Sequence, residues 1–414
     1  MTRLEGAATA GVASSAERRA ALRPTAAVTG VIVSAAIPPF LVGALAPLIA
    51  RDMSFGASAV GIGIAAYYLV SGVLSPLGGW TVGRIGVVLS LRLTCAMTTV
   101  GLLAIAAAGS AAHIVVVLGI LGLPNSVVQP AANAVLAEVR AGRLQALVFG
   151  VVQAAIPTAT LIAGVVLGVA SYAGGWRWTV LAVAVLTVGA LWGTRTLPAT
   201  VRRPRVVPPG PVGPRPAAVA APHGSPWVLA ALVATGFLGS TAATSLPSYV
   251  ASTGLASGLS PGVVASAQVL GSIACAATRI GAPLGVSHAT TLRRLVLIGS
   301  LLVLGGLGFL CLASGTPAGF LVGTVAAYAF GWGWNGLFNL VVVGVRPDRI
   351  AAATGRTQAG IFLGGLVGPL TFAAVVHQHG YDLAWLVASG AALAAAGAAT
   401  CGMLAVRHGT PPRR

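Results

Sequence analysis

The chain has 414 residues, 57% of them hydrophobic and 7% charged, with a formal charge of +18 and a mean hydropathy of +0.93. No soluble core needs that much apolar surface; runs of about 20 apolar residues, repeated along the chain, are what crossing a bilayer requires. The charge does not point to nucleic acid, because the arginines stand singly or in pairs between the apolar runs rather than as a basic stripe with aromatic neighbours.

Lysine is absent altogether, a usage expected of GC-rich DNA and hence of a bacterial source. The four cysteines, Cys95, Cys275, Cys311 and Cys401, lie inside apolar runs without CxxC spacing. Neither a disulfide framework nor a metal site is indicated, and no cofactor is expected.

In chain order, residues 1–25 hold four arginines and two glutamates but no apolar stretch of their own. The run 26–50 is too long for a signal peptide, so it is expected to be a retained first span behind a cytoplasmic tail. Further spans are placed at about 60–82, 91–110, 113–138, 145–172, 177–196, 227–251, 261–282, 293–314, 317–344, 352–378 and 384–406, twelve helices in all. Ser34 with Pro38-Pro39 is expected to interrupt the first. Between the sixth and seventh, residues 197–226 carry nine prolines with Arg202, Arg203, Arg205 and Arg215. Such a segment reads as an extended linker.

Threaded alternately, the spans put 22 of the 24 arginines on one side and only Arg51 and Arg177 on the other. Short cytoplasmic loops retain arginine during insertion, so the arginine-rich side is expected to be cytoplasmic and to hold both termini. The expected setting is the plasma membrane, with a multi-pass, monomeric protein in contact with the lipid bilayer.

The two halves, 26–196 and 227–406, also resemble each other, with short tails at 1–25 and 407–414. Asn125 falls against Asn335, Glu138 against Asp348, Gln153 against Gln358, and Gly79 and Gly83 against Gly281 and Gly285. A parallel duplication of six spans explains these polar matches.

The segment GASAVGIGIAAYYLVSGVLSPLGGWTVGRIG, with the six-plus-six spans and the central linker, resembles the major facilitator superfamily over nearly the whole chain. Gly79, Arg84 and Gly86 match that family's loop between its second and third spans. Gly83 stands where the family has an acid, and Val87 and Val88 where basic residues follow. In the family, glycines there let helices approach and an acid–base clamp gates the halves, so Gly79, Gly83, Arg84 and Gly86 form the candidate gating loop. The fifth-span antiporter signature is not met: Ile156-Pro157 and a single Gly164 stand there, with Gly368-Pro369 displaced into the eleventh span. The resemblance implies an all-α fold of two pseudo-symmetric six-helix bundles and a secondary active or facilitative transporter working by alternating access.

Buried polar side chains in hydrocarbon mark a wet cavity or the bundle interior. Asn125, Gln129 and Asn133 recur every four residues on one face of the fourth span, between Pro124 and Pro130. Asn335 and Asn339 repeat the spacing in the tenth, beside Trp332 and Trp334. Gln153 lies in the fifth span and Gln268 in the eighth, with Thr241, Thr244 and Ser245 in the seventh and Tyr67 and Tyr68 in the second. The candidate substrate contacts are therefore Asn125, Gln129, Asn133, Gln153, Gln268, Trp334, Asn335 and Asn339. Amides with aromatics suit a small uncharged or zwitterionic organic solute better than an ion; interhelical glue is the competing account of any one of them.

None of the six acids falls at mid-membrane: Glu5 and Glu17 are in the tail, Asp52 and Asp382 at outer ends, Glu138 and Asp348 at inner ends. Facilitated diffusion, or coupling through the substrate's own charge, is the expectation. Arg279 alone intrudes into a span; it either snorkels to the interface or meets an anion at the cavity floor. No HExxH, acid pair at metal spacing or GxSxG supports a membrane enzyme. Drug or metabolite efflux is the second expectation for the function, and a transport-dead sensor or scaffold the third.

Overall fold

The computed structural model describes residues 15–138, 145–172, 175–197, 226–286, 289–345 and 350–408, and its regular structure is helical throughout. Residues 1–14, the proline-rich segment 198–225, residues 409–414 and Asp348 lie outside these residues, as does the side chain of Glu138; residues 15–25, expected as tail, instead belong to the first helix. The helices are α1 Ser15–Asp52, α2 Ala57–Ile85, α3 Val87–Ala106, α4 Ala111–Glu138, α5 in two pieces (Gln145–Gln153 and Ala155–Tyr172) and α6 Trp176–Gly193. After the linker come α7 Pro226–Ala256, α8 Pro261–Gly285, α9 Thr291–Leu312 and α10, which is segmented as Pro317–Ala326, a π turn Ala327–Gly331 and Asn335–Val345. The last helix, Ile350–His408, doubles back at Gly380, whose φ of 83° a side chain would disfavour; α11 denotes the part before it and α12 the part after.

Ten described helices are long and apolar enough to span a bilayer. The last counts twice because of Gly380, and segmented α10 adds one more, which makes twelve crossings. Ser260, Thr290 and Thr316 start α8, α9 and α10 by accepting the backbone N–H three residues on. Trp178 and Tyr172 are exposed near the end of the bundle that carries Asp52, and Trp80, Trp192 and Trp227 near the opposite, linker end. Two such aromatic girdles are what the two faces of a bilayer select.

α1 does not break at Pro38-Pro39; it runs through four prolines from Ser15 to Asp52. A proline lacks the N–H that would bond the carbonyl four residues back, so Pro39 orphans the carbonyl of Ala35. The hydroxyl of Tyr67 on α2 donates to that oxygen at 2.8 Å. The helix is sustained because a neighbour supplies the missing donor. Tyr67→Phe is therefore expected to cost about 1–3 kcal/mol, the penalty for a buried acceptor left bare, more than the ~0.6 kcal/mol average for membrane interhelical bonds. A thermal midpoint indistinguishable from that of the parent protein would show that α1 finds another donor.

α1 is the central helix: 89% of its most apolar window is buried, against 39% for α2 and 33% for α6. It packs against α2 to α7. The two sets of six helices meet along α1–α7, α2–α11 and α5–α8. At Gly43 on α1, a Cβ would lie 2.8 Å from the Cα of Ser248 and 2.9 Å from the carbonyl oxygen of Pro247, both on α7. At Gly61 on α2 it would lie 2.8 Å from the carbonyl oxygen of Pro369. Only a missing side chain lets these backbones touch. Tyr249 closes the same region, its hydroxyl within donating distance of the carbonyls of Ala57 (3.1 Å) and Pro369 (2.9 Å). All these contacts lie toward the Asp52 end, which is sealed.

The one ion pair among the described residues is Arg177–Asp52 at 2.6 Å. Trp176 Nε1 donates to the same carboxylate at 2.7 Å, and Arg177 also donates to the carbonyl of Ala108. It ties α1 to α6 and to the end of α3, within one half.

Candidate functional site

Between the halves lies a cavity of ≈ 160 Å³ whose walls are set by helix faces. Asn125 and Gln129 of α4 face Asn335 and Asn339 of α10 across it, and Gln153 of α5 and Gln358 of α11 close its sides. The aromatic wall is Phe40, Tyr67, Tyr68, Trp332 and Phe362. Among the described residues α4 and α10 make no packed interface of their own. The amides of α4 and α10 therefore do not glue these two helices to each other.

Local chain chemistry puts these groups there. Pro157 has no N–H for the carbonyl of Gln153, and α5 breaks just after that residue. Glycines at 331 and 333 with the π turn of α10 break that helix opposite Arg279; single π turns of this kind often mark functional sites. Along α4, Asn125 is half-buried whereas Gln129 and Asn133 are exposed. The cavity thus widens toward the linker end.

Five of the eight sequence candidates line this space: Asn125, Gln129, Gln153, Asn335 and Asn339. The other three do not. Asn133 lies one turn beyond the cavity wall and is exposed. Gln268 is wholly buried, with Nε2 donating at 3.2 Å to the carbonyl of Thr160 and so joining α8 to α5. Trp334 is also wholly buried, and its Nε1 donates to the carbonyl of Gly331, serving the break in α10. In the seventh span the cavity takes Ser240 and Thr244 rather than Thr241 and Ser245. Asn125 has a second duty, its Nδ2 donating to Ser71 Oγ on α2 at 3.0 Å.

Arg279 does not snorkel. It is 4% exposed and lines the cavity. Its Nε and Nη2 both donate to the carbonyl of Trp332, at 3.3 and 3.1 Å, and its guanidinium sits 5.3 Å from the centre of that indole. The break in α10 is what turns this carbonyl toward α8.

In the candidate gating loop, Gly86 has a φ of 87° and joins α2 to α3. Gly79 and Gly83 face open space, as do their counterparts Gly281 and Gly285, so no helix approaches closely there in this conformation. Arg84 is exposed and stacks over Trp80, 5.0 Å from the ring centre.

A family model described as Major Facilitator Superfamily matches residues 27–369, most of the chain. The chain belongs to the Major Facilitator Superfamily. As a superfamily member it is a multi-pass membrane transporter of small solutes rather than an enzyme. Among 279 matching chains of solved structures is the crystal structure of a point mutant of the nucleoside transporter NupG. It has a TM-score of 0.66 and 14% identity, with 91% of this chain and 99% of that chain covered. At that identity the likeness establishes the superfamily fold alone. No curated protein matches the chain.

Proposed function

We propose that this superfamily member is a monomeric transporter of the bacterial plasma membrane, with both termini cytoplasmic, that moves a small organic solute by alternating access. Residues 26–196 and 227–406 act as two rocking bodies joined by the 197–226 linker. Asn125, Gln129, Gln153, Asn335, Asn339 and Gln358 hold the solute. The observation that carries this reading is one cavity lined by amides at repeat-related positions, Asn125 with Asn335 and Gln153 with Gln358, with the close backbone contacts between the halves toward the Asp52 end among the described residues. Since the arginine-rich side is the linker end, the conformation is cytoplasm-facing. Gly79, Gly83, Arg84 and Gly86 move with α2 as the cytoplasmic ends close.

Flux is facilitated or coupled through the substrate's own charge, since the sequence places no acid at mid-membrane; Glu138, Asp348 and Arg279 at the cytoplasmic end are the alternative coupling groups. The test is counterflow in proteoliposomes with radiolabelled nucleosides, neutral amino acids and monocarboxylates. One class should show uptake stimulated by internal unlabelled solute, unchanged by a pH gradient imposed at zero membrane potential. Exchange of no solute would remove the transport reading; accumulation of a non-titrating solute driven by the pH gradient would remove the coupling reading.

A further inference from the structure

We propose that the cavity takes a carboxylate, and that Arg279 is its counter-charge. This rests on the transport reading and names the substrate class of the same site. An arginine stays charged at any physiological pH, and a buried charge without a partner is costly, so such a side chain is expected to have an anion beside it. In the described residues no carboxylate lies near: Asp52 is bound by Trp176 and Arg177 at the sealed end, and Asp382 lies beside Gly315 in the turn between α9 and α10. The Trp332 carbonyl accepts from Nε and Nη2 and the Cys275 sulfur is a further hydrogen-bond partner, which still leaves part of the five guanidinium N–H donors for a ligand. The head group is held rigidly by that carbonyl and the indole below it. It is thereby presented to a cavity otherwise lined by neutral amides, hydroxyls and aromatic rings.

Charge balance selects the kind of anion. A carboxylate carries one negative charge and matches the guanidinium fork with two parallel hydrogen bonds. A phosphate monoester carries about 1.5 to 2 negative charges at neutral pH and would leave the excess buried. The aromatic walls of Tyr67, Tyr68, Phe40, Trp332 and Phe362 favour a flat, unsaturated body, and a space of ≈ 160 Å³ suits a small one. The ligand class is therefore a small aryl or unsaturated monocarboxylate, zwitterions included, with the amides reading its remaining polar groups.

Matched pairs test this on the purified full-length protein by thermal shift: benzoate against benzamide, 4-hydroxybenzoate against 4-hydroxybenzamide, pyruvate against pyruvamide, with phenyl phosphate as the phosphate arm. The acids should stabilise the parent protein and the amides should not, with phenyl phosphate weaker than benzoate. Arg279→Gln should weaken acid binding about tenfold to a hundredfold, the loss expected of a charge-assisted pair. Arg279→Lys should keep part of it, having the charge without the fork. If Arg279→Gln fails to fold, the acid–amide comparison on the parent protein and the Arg279→Lys titration still decide. Stabilisation by amide and acid alike, an acid effect that survives Arg279→Gln, or no shift with any carboxylate would overturn the proposal. Counterflow of a neutral solute alongside any of these results would leave the transport reading standing. Carboxylate binding without any counterflow would overturn that reading and keep the anion site.

Discussion

Gly43→Leu is expected to lower transport by an order of magnitude or more and to leave the Asp52 end open. The Cβ alone would sit 2.8 Å from Ser248 Cα and 2.9 Å from the Pro247 carbonyl, and neither backbone atom can step aside as a flexible side chain would. Overpacking of this kind costs roughly 1–3 kcal/mol. The penalty falls only on the conformation in which α1 and α7 touch, so it shifts a two-state balance about fivefold to a hundredfold rather than unfolding the protein. A membrane-impermeant maleimide added to intact cells should label a cysteine placed at Ala36, in the cavity wall, slowly in the parent and rapidly in Gly43→Leu. Gly43→Ala should fall between. Unchanged labelling would mean that this contact is not the seal, and fast labelling of the parent would reverse the assigned orientation.

Asn335→Leu and Gln129→Leu should each cut exchange of whichever solute the counterflow panel identifies, by about fivefold to over a hundredfold. That range corresponds to the roughly 1–3 kcal/mol lost when a buried polar group of the ligand has no partner. Stability should hold, because these side chains face a cavity and not a neighbouring helix. Asn125→Leu is the internal contrast, since it also removes the 3.0 Å bond to Ser71; it should lose stability as well as transport. If Asn335→Leu proves to be the destabilised variant while its folded fraction transports normally, the amide belongs to helix packing.

The spans and the amide faces of α4 and α10 are legible in the sequence because their signal is local: apolar run length, and polar residues four apart on one helix. Of the seventh-span candidates Thr244 lines the cavity while Thr241 and Ser245 do not, and Ser240, which the sequence reading passed over, does; all four are equally polar, so composition could not choose the face. Gln268 and Trp334 are polar-capable groups inside apolar helices too. What separates them from Gln153 and Asn335 is a partner on another helix or an oxygen freed by a helix break, and neither is written in their own neighbourhood. The uninterrupted course of α1 depends on Tyr67, far beyond Pro39 along the chain. The break in α10 does have a local signal, the glycines flanking Trp332 and Trp334. Arg279 stands close enough to the helix end to reach water; the freed Trp332 carbonyl holds it inside.

The seal at the Asp52 end is made of bare backbone, an aromatic hydroxyl and apolar side chains. The sole ion pair among the described residues joins α1 and α6 inside one half and crosses no moving boundary. Screening by dissolved salt acts on charges and leaves such contacts nearly untouched. At this end the balance between states should therefore be insensitive to ionic strength. It should respond instead to whatever alters the fit of two surfaces, such as lateral pressure from the surrounding lipid or the addition of a single methyl group.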